Sequence, residues 1–249
     1  MDASLQTVEG FRAKEASVIF LVTLIAILGA DYFLVALLKL LQTRDLLPIW
    51  PATAIEVVAA TRSIALGFLN PAVMMVVTLL LMKSYLPSES ISSLCNRIGL
   101  HGKPSSLLFG LSFGMGAMYV FAFMALEYVF PRNEFAAPHP ENVINVAPVG
   151  GKVLFAFAAC TLVPFAEEVL FRGILYQGFA NSWGKVVSTV CVSSMFIAVH
   201  PGTLESGYWL THTALYMAPI FLTILRELGG SLYAPIAGHA GINFAEIFF

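Results

Sequence analysis

The sequence is poor in charged residues. Only 11% of its 249 residues are Asp, Glu, Lys or Arg, while 58% are hydrophobic; an average soluble domain carries about 25% charged residues. The mean hydropathy is +0.83. This composition argues against an ordinary soluble domain and is typical of a protein that crosses a membrane several times.

Other features are also scarce. The net charge is -2 and no block of basic residues occurs, so nothing indicates a nucleic-acid partner. The three cysteines, Cys95, Cys160 and Cys191, are scattered and lack metal-binding spacing, so we interpret them as small apolar packing residues. Residues 2–16 mix acidic and basic side chains before an apolar run too long for a signal peptide, so we expect no cleavable signal.

Long apolar runs dominate the rest of the chain. A membrane-spanning helix needs about 20 mostly apolar residues, and we predict spans at 18–41, 72–86, 107–130, 153–178, 186–200, 208–225 and 232–248. Residues 53–69 are ambiguous, because Glu56 and Arg62 interrupt them. Asn70-Pro71 predicts a break after that segment. We therefore expect an all-α, polytopic transmembrane bundle of seven or eight spans that forms one membrane domain over residues 1–249.

The loops and glycines refine this prediction. We expect a loop or surface-lying segment at 87–104, an extramembrane loop at 131–148, and turns at 181–184 and 226–230. Positive charge places the loops at 87–104, 179–185 and 226–231 in the cytosol. Gly110, Gly114 and Gly116 in the span at 107–130 are expected to allow close contact between helices.

Residues 165–173 (FAEEVLFRG) bring three ionisable groups into an apolar segment. Each such group in a spanning helix costs about 2.5–3.5 kcal/mol on insertion scales, so it persists only if paired or useful. Glu168 and Arg172 are four residues apart on one helical face and can neutralise one another. Glu167 lies about 100° round the helix and lacks that partner. It is therefore a candidate general base, and the alternative is a purely structural polar cluster.

Further polar groups lie in the later spans. Phe196 and His200 share a helical face, as do His239 and Asn243, because each pair is four residues apart. Together with Glu167, these groups can deprotonate and orient a water and donate hydrogen bonds to an oxyanion. The set also suits a divalent metal such as zinc, with Glu167, His200 and His239 as ligands. Spacing leaves a metal-dependent and a metal-free scheme both open.

These motifs resemble the three signature motifs of the CPBP family, which comprises the CAAX prenyl endopeptidases and their bacterial bacteriocin-processing and immunity relatives. Residues 167–173 (EEVLFRG) are similar to the family helix EELLFRG, and residues 230–239 (GSLYAPIAGH) are similar to its GSLWAPILLHA run. Residues 98–104 (IGLHGKP) resemble a short family loop that precedes a span. The resemblance covers residues 98–249, whereas residues 1–97 carry no motif that matches.

The resemblance implies an intramembrane endopeptidase. Glu167 would then activate the attacking water, His200 would help to bind and orient it, and His239 with Asn243 would stabilise the tetrahedral oxyanion. Whether the family mechanism uses a metal such as zinc or no metal stays open for this chain.

Three residues receive supporting roles rather than chemical ones. The resemblance implies that Glu168 and Arg172 hold the site together, and Phe196 accompanies His200 on the same helical face. Membrane-embedded or lipid-modified peptides, prenylated ones among them, are the implied substrates, with the lipid bilayer as the surrounding partner.

The sequence also suggests a cellular location and leaves an alternative function open. The compact length and the absence of a targeting signal favour a bacterial inner membrane. The alternative to a protease is a non-proteolytic scaffold, immunity factor or transporter of the same fold, in which Asp31, Glu56, Glu127 and Glu246 would form an ion path. The complete set of Glu167, His200, His239 and Asn243 favours the protease, because a scaffold has no chemical need for four costly polar groups.

Overall fold

The computed structural model describes residues 11–44, 54–102, 104–131, 147–200 and 209–249, with the backbone alone at 42 and 54–59. The described residues form eight helices: α1 (Ala13–Thr43), α2 (Ala54–Tyr85), α3 (Ile91–Arg97), α4 (Ser106–Val129), α5 (Val149–Trp183), α6 (Lys185–Ala198), α7 (Trp209–Gly229) and α8 (Tyr233–Phe248). No strand occurs in that part of the chain. The all-α prediction is confirmed.

Four helical segments are long and apolar enough to cross a membrane: Ala13–Leu41, Ala60–Tyr85, Ser106–Val129 and Val149–Trp183. The apolar α6 has 14 residues and is about 21 Å long, which is shorter than the hydrocarbon core of about 30 Å. The chain is thus an integral membrane protein by the composition of its helices. The count of seven or eight spans stays a prediction.

Helix α2 corrects one expectation. The predicted break at Asn70-Pro71 is wrong, because α2 runs without interruption from Ala54 to Tyr85 with Pro71 inside it. Proline removes one backbone N–H, and helices in membranes tolerate this loss when neighbouring groups satisfy the freed carbonyl. The ambiguous segment 53–69 and the short apolar run after it are therefore parts of one helix.

Arg62, one of the two charged residues that made segment 53–69 ambiguous, forms an ion pair. The guanidinium of Arg62 contacts Asp31 of α1 with two nitrogens, and Nη2 lies 2.7 Å from Oδ2. A two-pronged contact between Arg and a carboxylate is geometrically specific. It joins α1 to α2 and gives both charged residues a structural explanation.

The connections differ in detail from the predicted loops and turns. The segment 87–104 includes the short helix α3, whose first turn is capped by the Ser90 side chain, which accepts from the backbone N–H of Ser93. Helices α5 and α7 continue through most of the two predicted turns, and the backbone leaves helical geometry at Gly184 and Gly230, with φ of 80° and 63°. The predicted loop at 131–148 lies mostly outside the described residues.

Helices α4 and α8 approach each other closely through glycines. A Cβ atom on Gly116 would lie 1.9 Å from the carbonyl oxygen of Gly238, and one on Gly241 would lie 2.1 Å from the carbonyl oxygen of Phe113. The prediction of close helix contact is confirmed at Gly116. It is wrong for Gly110 and Gly114, because a Cβ there would face open space.

Helix α5 lies at the centre of the packing. Every residue from Val169 to Tyr176 is buried, against apolar side chains of α1, α2, α3 and α6. A second apolar cluster joins α4, α7 and α8. Glu168 and Arg172 of α5 therefore lie inside the protein, where polar atoms need partners.

Candidate active site

The centre of the candidate site is the buried guanidinium of Arg172. Its Nη1 donates to Oε1 of Glu168 at 2.8 Å, and its Nη2 donates to the carbonyl oxygen of Pro219 on α7 at 2.9 Å. Both charged side chains are fully buried. The Cζ atom of Arg172 also lies 5.3 Å from the centre of the Phe196 ring, a favourable position for a cation beside an aromatic face. The predicted pair of Glu168 and Arg172 is present.

His239 of α8 lies between the two glutamates. Its Nδ1 is 2.9 Å from Oε1 of Glu168, and its Nε2 is 3.8 Å from Oε2 of Glu167. A carboxylate accepts hydrogen bonds, so Nδ1 carries the proton that it donates to Glu168. Glu168 therefore holds two partners, Arg172 and His239. The sequence spacing predicted only the first of them.

Glu167 has the more open environment of the two acids. Its side chain is 15% exposed, and its Oε2 is buried without a hydrogen-bond partner among the described residues. It lines a cavity of about 290 Å³ between α2 and α5, whose other walls are mainly apolar residues such as Leu66, Met74 and Val163. An unpartnered buried carboxylate oxygen beside a cavity is chemically available to a water or a substrate.

His200 lies just after the end of α6 and bonds to that helix rather than to Glu167. Its Nδ1 lies 2.7 Å from the carbonyl oxygen of Phe196, and its ring stacks on the Phe196 ring with a centroid distance of 4.5 Å. Because the carbonyl accepts, Nδ1 carries the proton and Nε2 is left as an acceptor. Phe196 also lies 6.1 Å from His239, edge to face, so its ring joins both histidines to Arg172.

Asn243 lies one helical turn after His239 on α8. Its Nδ2 donates to the carbonyl oxygen of Ala159 on α5 at 2.7 Å. The amide nitrogen carries two hydrogens, so a second N–H remains for another acceptor. The bond to Ala159 was not predicted, because sequence spacing cannot pair a side chain with a backbone carbonyl of a distant helix.

The arrangement does not by itself build a metal site. Within the ranges that the structure describes, no three His, Cys, Asp or Glu side chains converge as metal ligands. Glu167 and His239 approach each other, but His200 does not join them in such a group. The ligand geometry therefore does not fit a three-residue metal centre, and we derive no step through a metal.

The region that carries these residues matches a known family. Residues 149–245 match the model of the Rce1-like family, described as type II CAAX prenyl endopeptidase Rce1-like. This part of the chain is therefore similar to the CAAX-type intramembrane protease family. No curated protein and no solved structure matches the chain. The family region includes α5, α6, α7 and most of α8, and residues 98–148, where we saw further resemblance, lie outside it.

The family match and the sequence motifs thus agree on one region. The match supports a membrane-embedded CAAX-type endopeptidase in general terms. It assigns no role to an individual residue and names no substrate, so those questions depend on the geometry of this site.

Proposed function

We propose that the protein is an intramembrane endopeptidase in which Glu167 activates a water for attack on a peptide bond. One observation carries this proposal. The Oε2 atom of Glu167 is buried, has no hydrogen-bond partner among the described residues, and faces His239 at the edge of an apolar cavity. Its neighbour Glu168 also has an unpartnered oxygen, Oε2, but its Oε1 accepts hydrogen bonds from both Arg172 and His239.

The difference between the two carboxylates supports a division of labour. Glu168 binds the guanidinium of Arg172 and the Nδ1–H of His239, so it holds the imidazole in one orientation with Nε2 towards Glu167. A residue that fixes the orientation and tautomer of a catalytic histidine need not touch the substrate. Glu167 is free of such bonds and suits proton transfer.

The proposed reaction has two steps, the addition of water to the carbonyl carbon and the loss of the amine. Glu167 removes a proton from water while the water oxygen forms a bond to the carbonyl carbon, which gives a tetrahedral oxyanion. His239, when protonated on Nε2, and the second N–H of Asn243 donate hydrogen bonds to that oxyanion. The C–N bond then breaks as the nitrogen takes the proton from Glu167. The products are a carboxylic acid and an amine.

We propose that His200 positions the attacking water. Its Nδ1 is engaged with Phe196, so its Nε2 lone pair is available to accept a hydrogen bond from a water molecule. General bases act through one water as well as by direct contact. This role is consistent with the hydrogen bond that fixes His200 at the end of α6. The ring of Phe196 contacts both His200 and His239.

The substrate class follows from the surroundings of Glu167. The cavity beside it is lined mostly by apolar residues of α2 and α5, and both helices are apolar enough to lie in a bilayer. We propose a membrane-embedded or lipid-modified peptide as substrate, prenylated peptides included, and the bacterial inner membrane as the location. A soluble polar peptide would have no favourable route into this site.

The rival function is a non-proteolytic scaffold, immunity factor or transporter built on the same fold. The ion path that it would require is weakened by the pairing of Asp31 with Arg62. The side chain of Glu56 lies outside the part that the structure describes. Ion or solute uptake into vesicles that contain the purified protein would favour the rival.

The deciding experiment compares Glu167→Gln with the wild type on membrane peptides. A general base contributes about 10²–10⁴-fold to rate, so we expect cleavage to fall by that factor while the protein remains folded. Glu127→Gln, on α4 and away from this cluster, is the matched control and should cleave as the wild type does. Equal cleavage by Glu167→Gln and wild type would reject the mechanism.

The substrate itself is sought in cells. Membranes from cells with the wild-type protein or with Glu167→Gln are compared by mass spectrometry, and the uncleaved substrate should accumulate only in the variant. Metal analysis of active protein in detergent, together with sensitivity to chelators, tests the metal question separately.

A further inference from the structure

Helix α5 changes its hydrogen-bond register just before the two glutamates. Residues Ala158–Leu162 form a π-helical turn, and the backbone N–H of Val163 donates to the carbonyl oxygen of Ala158, five residues earlier. In the same register, the N–H of residue 164 would donate to Ala159. Residue 164 is proline and has no N–H, so this register leaves the carbonyl of Ala159 without a backbone donor.

The missing donor comes from another helix. The amide nitrogen of Asn243 on α8 lies 2.7 Å from the carbonyl oxygen of Ala159 and donates to it. In an apolar interior an unsatisfied carbonyl is costly, so the bond gives Asn243 a defined position. Pro164 itself is buried. The proline, the carbonyl and the amide therefore form one continuous arrangement next to Glu167.

We propose that Pro164 is a positioning residue for Asn243. By removing one backbone N–H, it reserves the Ala159 carbonyl for the amide of Asn243. This bond uses one amide hydrogen and holds the other in a fixed direction. The catalytic consequence rests on the proposed function, in which that second N–H contacts the oxyanion. The structural link between the three residues does not depend on proteolysis.

The structural link is tested by a double-mutant cycle on thermal stability in detergent. Asn243→Ala should lower the Tm of the otherwise wild-type protein by a few degrees, because it leaves the Ala159 carbonyl without a donor. In Pro164→Ala the new backbone N–H can take that carbonyl, so Asn243→Ala should cost much less there. An equal loss of Tm in both backgrounds would overturn the proposal.

Two further variants keep this test decisive. Pro71→Ala also adds an N–H to a buried proline position within a helix, but in α2, so the cost of Asn243→Ala in that background should equal its cost in wild type. Pro164→Cys supplies the same N–H in a small apolar residue and replaces Pro164→Ala if the alanine variant does not fold. A reduced cost of Asn243→Ala in the Pro71→Ala background would also count against the proposal.

The catalytic consequence is tested by kinetics on a cleaved peptide. Pro164→Ala should lower kcat while KM stays unchanged, because the substrate still binds but the oxyanion loses an oriented donor. Adding Asn243→Ala should lower kcat little further. If Pro164→Ala acted only by moving Glu167, then Asn243→Ala would reduce kcat by its full factor in that background. Because the Tm cycle needs no turnover, it remains decisive even if Glu167→Gln shows that the protein is no protease.

Discussion

The Nδ1 atom of His239 lies 2.9 Å from Oε1 of Glu168, the same oxygen that accepts the Nη1–H of Arg172 at 2.8 Å. One carboxylate oxygen therefore joins a residue of α8 to the buried ion pair within α5. The ring nitrogen on the other side of His239 faces Glu167. This geometry separates two adjacent glutamates into one that organises the site and one that is available for chemistry.

The first prediction concerns that separation. Glu168→Gln should destabilise the protein strongly, since it leaves the fully buried guanidinium of Arg172 without a counter-charge. Breaking a buried pair in this way costs about 3–5 kcal/mol. Thermal unfolding in detergent should show a Tm lower by about 10 °C. Glu167→Gln is the matched isosteric control, and a similar loss of Tm in both variants would refute the division.

The second prediction concerns the contact between α4 and α8. Gly116→Ala should destabilise the protein by about 1–3 kcal/mol, because its Cβ would overlap the Gly238 carbonyl and force the helices apart. Gly114→Ala, two residues away and facing open space, should leave the Tm within about 2 °C of the wild type. Thermal unfolding of the two variants side by side tests this, and equal stability of both would contradict the observed packing.

The third prediction concerns the pair between α1 and α2. Asp31→Asn should lower the Tm, since it removes the counter-charge of Arg62 within an apolar segment. The charge swap, Asp31→Arg with Arg62→Asp, restores an ion pair in the reverse sense and should recover part of the lost Tm. No recovery in the swapped protein would show that Asp31 and Arg62 act independently, as residues of an ion path would.

The fourth prediction concerns pH and the segment around α3. Hydrogen bonds from Ser93 and Arg97 lower the pKa of Glu89 below its ordinary value of 4.5. A lowered pKa stabilises the folded protein at pH values above the ordinary pKa of the carboxyl group. This stabilisation is lost as the pH falls through the pKa of the folded state. Glu89→Gln should therefore have a lower Tm than wild type at neutral pH. The difference should shrink as the pH falls below 4.5 and disappear once the pH is below the lowered pKa of Glu89, and a constant difference at all pH values would exclude this origin.

The sequence predicted one contact of the candidate site and missed others. The spacing of Glu168 and Arg172 predicted their ion pair, because four residues return a helix to the same face. The same spacing rule could not show that His239 bonds to Glu168 or that Asn243 bonds to Ala159. Both contacts join residues more than 70 positions apart, and only helix packing brings them together.

Pro71 led to a wrong prediction for α2, and nothing in the sequence indicated a role for Pro164 in α5. Pro71 predicted a break, yet α2 continues through it. Pro164 drew no attention, although its missing N–H coincides with the carbonyl that Asn243 satisfies. Local rules for proline describe what the backbone loses. They do not say which neighbouring helix supplies a replacement donor, since that depends on tertiary packing.

By itself the sequence indicated an all-helical membrane protein, a similarity to the CAAX-type protease family and the identity of the ionisable residues in the matched region. Composition and periodicity carry that information because apolar length and helical spacing are local properties. Helical spacing also assigned Arg172 to Glu168 and left Glu167 without that partner. Only the tertiary structure showed that His239 is a second partner of Glu168 and that Glu167 lines a cavity, because these relationships depend on how α2, α5 and α8 pack.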